Sequence, residues 1–73
     1  VNETELQDAL KTLLEEIAFM DADDRERFDL PAELAEVDRV STFEEAGVLT
    51  TDAGLVVTAT DGTEFQVTII QAR

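Results

Sequence analysis

Few side chains in this sequence could do chemistry. Ser41 is the only serine, and the chain has no histidine, cysteine or tyrosine to activate or replace it. A hydroxyl without a neighbouring base is a weak nucleophile. Lys11, the only lysine, falls among acids on the polar side of a helical segment. The carboxylate pairs Glu15/Glu16 and Glu44/Glu45 are adjacent in sequence, and neighbours on a helix point about 100° apart, so they do not converge on one reacting atom. Solvated helix faces account for them. The run Asp21, Asp23, Asp24 starts like a calcium loop, but its sixth position is Glu26 where glycine is needed and its twelfth is Ala32 where a bidentate glutamate is needed. Helix capping explains those aspartates better, with weak cation binding in concentrated salt the other use of them. No glycine-rich phosphate loop is present. No catalytic, cofactor-binding or metal-ligating residue is therefore assigned, and an enzyme is not expected.

Other classes are narrowed by what is missing. Without Cys or His a zinc site lacks its usual ligands, leaving only hard, oxygen-seeking ions such as calcium or magnesium. Disulfides are excluded outright. Phosphate contacts need clustered Lys and Arg, and only Arg25 and Arg27 lie close together, so nucleic acid is not an expected partner. A helix, a short turn and a hairpin would suit a winged-helix DNA reader, but Thr42 to Ala46 carries two glutamates and no base. No apolar run approaches the ~20 residues of a membrane span, and no signal-like segment opens the sequence, so a cytoplasmic protein with no membrane partner is expected.

Eighteen acidic residues against five basic ones give a net charge of −13 over 73 residues. In dilute buffer such density drives a fold apart by self-repulsion. At about 1 M salt the screening length falls to roughly 3 Å, and the same carboxylates hold water and cations instead. One lysine against four arginines, no Trp or Tyr, and abundant Ala, Val and Thr complete a composition that resembles the proteins of salt-in halophilic archaea. That resemblance implies a salt-rich cytoplasm and no particular activity. A nucleic-acid mimic or an acidic tail would gather its charge in a track or run, whereas here acids are interleaved with apolar residues.

The elements that position these residues can be read from periodicity. From Glu3 to Met20, Leu6, Ala9, Leu10, Leu13, Ile17 and Met20 form one stripe at 100° per residue, with Leu14 on its flank: an amphipathic helix. Asn2 is placed to cap it, and Glu5 to complete a capping box. The helix should end near residues 20 to 22, since continuing it would drop Asp24 into the apolar stripe. Phe19 points nearly opposite that stripe. Either the helix ends before it, or a returning segment covers it, or a partner does. Asp21 can cap a short second helix through Arg25 to Phe28, and Pro31 can open another turn over Ala32 to Glu36 with Leu34 inward. Thr42 and Glu45 have capping-box spacing, Gly47 suits a left-handed closure, and Phe43 should anchor that turn to the core.

The last third is rich in Val, Ile and Thr and reads as sheet. Residues 46 to 73 hold three acids and one base, a net of −2, against −11 on the first 45. Val37 to Ser41 has strand character, with Val37 and Val40 out of strict alternation, as a bulge or a helical turn would produce. Val48 to Thr50 is expected to pair with Leu55 to Thr60 across residues 51 to 54. Leu55 to Thr60 should continue into Glu64 to Gln71 through a three-residue loop of Thr60, Asp61 and Gly62, with Gly62 left-handed. A two-residue turn at Asp61 and Gly62 would scatter the apolar set, whereas that loop puts Leu55, Val57 and Ala59 on one face with Phe65, Val67 and Ile69.

The expected architecture is a single α+β domain over 1–73: a long N-terminal amphipathic helix packed on a small, mostly antiparallel sheet of three or four strands, ending in a C-terminal hairpin. At this length a core is barely adequate, and Phe19, Val56 and Ile70 fall on faces that should be wet. A shared contact patch of these three, or cover by the chain's own loops, would account for them. The terminal strand would also suit a sheet edge open to a second copy. A non-catalytic interaction module is the expected function, as a homodimer or a small subunit of a larger complex, with no cofactor. A sensory domain binding a ligand or hard metal ion is the alternative.

Overall fold

The computed structural model describes residues 1–73. Helix α1 spans Glu3–Phe19 and α2 spans Ala22–Arg27, followed by a 3-10 turn over Ala32–Glu36. Then come strand β1 (Val37–Thr42), a four-residue helix α3 (Phe43–Ala46), β2 (Ala53–Ala59) and β3 (Glu64–Ile69). The three strands form one antiparallel sheet in the order β1-β2-β3, with α1 lying across one face. Principal extents of 38 × 28 × 16 Å fit two layers and no third.

Local signals govern each helix end. Asn2 caps α1 by accepting the Glu5 N–H at 2.8 Å, although the reciprocal bond of a capping box is not made there. The C-terminal carbonyls of α1, those of Ile17 and Ala18, accept from the Arg25 guanidinium at 3.3 and 3.0 Å, where a cation also suits the helix dipole. So α2 closes α1 as well as following it. Asp21 caps α2 through the Asp24 N–H at 2.9 Å. Thr42 and Glu45 make both bonds of their capping box, and Gly47 closes α3 with φ +76°.

The β2–β3 connection is the bulged three-residue loop expected from face matching. Ala59 donates to the Thr63 carbonyl at 2.8 Å, Gly62 donates to Ala59 at 3.0 Å, and Gly62 has φ +88°. Val57 faces Phe65, Leu55 faces Val67 and Ala53 faces Ile69. In β1, the mismatch of Val37 and Val40 is resolved by a bulge: Val37 pairs with Ala59, but Arg39 already pairs with Thr58. Asp38 is the extra residue, and it lets both valines share the helix-facing side.

One expected strand does not form. Residues Val48 to Thr50 are irregular, and the partner of β2 on that side is β1. The segment folds on itself instead. Val48 donates to the Phe43 carbonyl, Thr50 to Val48, and the Thr50 hydroxyl accepts from Asp52, which leaves no extended backbone to offer a ladder. Leu49 stands fully in water.

Seven of the 73 residues are buried, which makes the core thin. Ile17, Val40, Leu55 and Ile69 form it between α1 and the sheet, while Phe43 closes the end of the sheet against Gly54.

Candidate functional site

The helix crosses the sheet on a diagonal. Near its start, Gln7 meets Gly54 and Glu3 meets Gln71, while near its end Ala18 lies beside Asp38 and Val40 of β1. The face it turns to the sheet is not the centre of its apolar stripe. Gln7, Leu10, Leu14, Ile17 and Ala18 are covered at least in part, a set centred about a quarter-turn from the leucine stripe at 100° per residue. Two polar contacts accompany this rotation. The Gln7 carboxamide oxygen accepts the Gly54 N–H at 2.9 Å, and Lys11 reaches Glu15 at 3.0 Å and Glu45 of α3 at 3.8 Å.

The rest of the stripe therefore stays in water. Leu6 is 43% exposed and Leu13 51%, on the helix flank opposite Lys11. Because α1 runs toward β1, it covers Ile69 of β3 but leaves Phe65 56% and Val67 43% exposed on the same side of the sheet. Val57 and Val37 continue this floor to a hollow of about 290 Å³ bounded by Glu33 and Glu36. The 3-10 turn is pinned there by Thr60, whose N–H and hydroxyl bond to the Glu36 carbonyl at 2.8 Å and carboxylate at 3.0 Å. The result is a set of half-exposed apolar side chains on the helix side of the sheet, here called the trough: Leu6 and Leu13 from α1, Phe65 and Val67 from the edge strand.

The three residues singled out from sequence do not form one patch. Phe19 is 84% exposed at the C-terminal end of α1, beside Thr12, Glu16 and Met20. Ile70 is 69% exposed near the opposite end, next to Gln71, whose N–H bonds Glu3 at 2.9 Å. A helix of this length separates them by about 25 Å. Val56 is buried on the other face of the sheet, in a hollow shared with Ala46 and Val48, so the chain's own α3 and following loop account for it. Sequence reasoning placed Leu6, Leu13, Phe65 and Val67 in the core and so missed the trough. The stripe itself, about 100° wide, is an ordinary core face and gave no signal; the rotation that uncovers part of it depends on contacts distant in sequence.

Lys11, Glu45 and Asp61 are engaged in structure. Glu15, to which Lys11 donates, holds the ammonium above its ordinary pKa, so Lys11 is a fixed cation and not a base. Bonds from the Thr42 backbone and hydroxyl group hold Glu45 below the usual carboxylate range, and Thr63 does the same for Asp61. Ser41 lies on the sheet face away from α1 in the hollow with Arg39 and Glu45. The carboxylates nowhere gather in a group of three that could hold an ion, and Asp21 is occupied in capping α2. No helix is long and apolar enough to cross a membrane.

Comparison with protein-family models, with curated proteins and with solved structures finds no match. Function must be argued from the chain's own surface.

Proposed function

We propose that this chain is a non-catalytic protein-association module that works as a homodimer in a salt-rich cytoplasm. The observation that carries this reading is the uncovered trough: Leu6 and Leu13 of α1 and Phe65 and Val67 of β3 are all left about half exposed on the helix side of the sheet. Singly exposed apolar residues are ordinary, but four left half exposed on one side of so small a domain offer the material of a contact site. With so few residues buried, covering the trough would add substantially to the core. The charge fits the same reading. Two copies each carrying −13 repel strongly in dilute buffer, and concentrated salt removes most of that barrier.

Sedimentation equilibrium in 2 M potassium chloride tests the proposal. A twofold mass that dissociates on dilution is expected. A strict monomer at millimolar concentration would overturn the homodimer.

A further inference from the structure

The free edge of β3 supplies a more specific account of how two copies meet, one that rests on the homodimer reading. In an antiparallel ladder, hydrogen-bonded and non-bonded pairs alternate. The Ala59–Thr63 bond fixes the phase, so Phe65, Val67 and Ile69 direct their backbone groups to β2. Glu64, Gln66 and Thr68 therefore direct theirs outward, and nothing in the chain bonds to them. Edge strands are commonly blocked by proline, lysine, a bulge or a covering element. This one has none of these.

We propose that β3 pairs with β3 of a second copy, antiparallel and centred on Gln66, to make a continuous six-stranded sheet. Gln66 then faces Gln66, and Glu64 of each copy faces Thr68 of the other. This register is the one in which all three outward residues form bonded pairs at once; shifting the centre to Phe65 or Val67 leaves one of them outside a pair within the strand. Charge favours the same contact. Glu64 is the only ionised side chain on β3, and the register sets it opposite a threonine and not its own copy. The surrounding residues 46 to 73 are the nearly neutral part of the molecule.

The apolar side chains fit as well. Phe65 and Val67 fall at non-bonded positions, where facing side chains approach most closely, so Phe65 of each copy meets Val67 of the other. Phe65 alone leaves roughly 100 Å² of apolar surface in water as a monomer. Both helices lie on the same face of the joined sheet, and the Leu6 and Leu13 flanks close on the new ridge from either side. The trough and the strand edge thus become one interface.

Single cysteines report the register directly, because the chain has none of its own. Bonded antiparallel partners have Cα atoms about 5.5 Å apart, within the range a disulfide spans. Positions 64, 66 and 68 are all exposed, so their substitution leaves the fold intact, which circular dichroism would check. Under mild oxidation in 2 M potassium chloride, Gln66→Cys should convert almost wholly to a linked dimer. Glu64→Cys and Thr68→Cys alone should not, whereas an equal mixture of the two should. If the unmodified chain is dimeric but Gln66→Cys remains unlinked, or Glu64→Cys links to itself as readily, edge pairing in this register is wrong while the homodimer stands. If the unmodified chain is a monomer, the homodimer itself is wrong and this interface with it.

Discussion

The side-chain oxygen of Gln7 accepts the backbone N–H of Gly54 at 2.9 Å, joining residues 47 positions apart. The bond sits where β1 has run out: Thr42 pairs with Leu55, and the next outward group of β2 has no strand to meet. Gln7 thus serves the backbone where the sheet ends and ties α1 to that point.

Replacing Gln7 by alanine leaves that partly buried N–H without a partner, at a cost of about 1–2 kcal/mol. Denaturant unfolding in concentrated salt should show a lower midpoint at unchanged slope. An unaltered midpoint would mean water serves the Gly54 N–H equally well.

Gly54→Ala should be among the most damaging single changes. A Cβ there would lie 2.5 Å from both the Phe43 Cζ and the Val67 carbonyl oxygen, and the latter is backbone that cannot step aside. Overpacking of this kind costs about 3 kcal/mol, most of the stability a domain of this size has. Loss of the cooperative thermal transition is the expected outcome; a transition within a few degrees of the parent would show that the strand relaxes easily.

Leu55 and Phe65 lie on the same sheet face with opposite environments, Leu55 being 1% exposed. Leu55→Ala should cost about 3 kcal/mol at any protein concentration. Phe65→Thr should change the stability of dilute monomer by no more than about 0.5 kcal/mol while weakening association. Unfolding measured at two concentrations separates the effects.

The depressed pKa of Glu45 has a defined sign. Its folded value lies below the usual 4.5, so its contribution is full above that value and disappears as pH falls through the folded value. Glu45→Gln keeps an acceptor for Thr42 but removes the charge. The stability gap between parent and variant should be present at neutral pH and close below about pH 4.5. A gap independent of pH would show that shape alone matters. In an NMR titration the midpoint of Glu45 should lie below the usual 4.5.

Salt should act on the whole molecule. If screening the net −13 contributes about 2 kcal/mol, the melting temperature should rise by about 10 °C between 0.1 and 2 M potassium chloride. A flat melting temperature across that range would remove self-repulsion as the limit on this fold.

The sequence by itself determined whatever is settled by neighbouring residues. The caps at Asn2, Asp21 and Thr42, the left-handed Gly47 and Gly62, the bulged loop and the irregularity of β1 are each set by side chains within a few positions, where backbone geometry leaves few choices. Tertiary structure alone decided which elements meet. Pairing of β1 with β2 excluded a strand at Val48 to Thr50, and α3 hid Val56. The docking of α1 off the centre of its leucine stripe, with Gln7 on Gly54 and Lys11 near Glu45, leaves Leu6, Leu13, Phe65 and Val67 half exposed. Periodicity marks a side of a helix as apolar; how much of that side is covered depends on the width and angle of what packs against it, and those are properties of distant contacts.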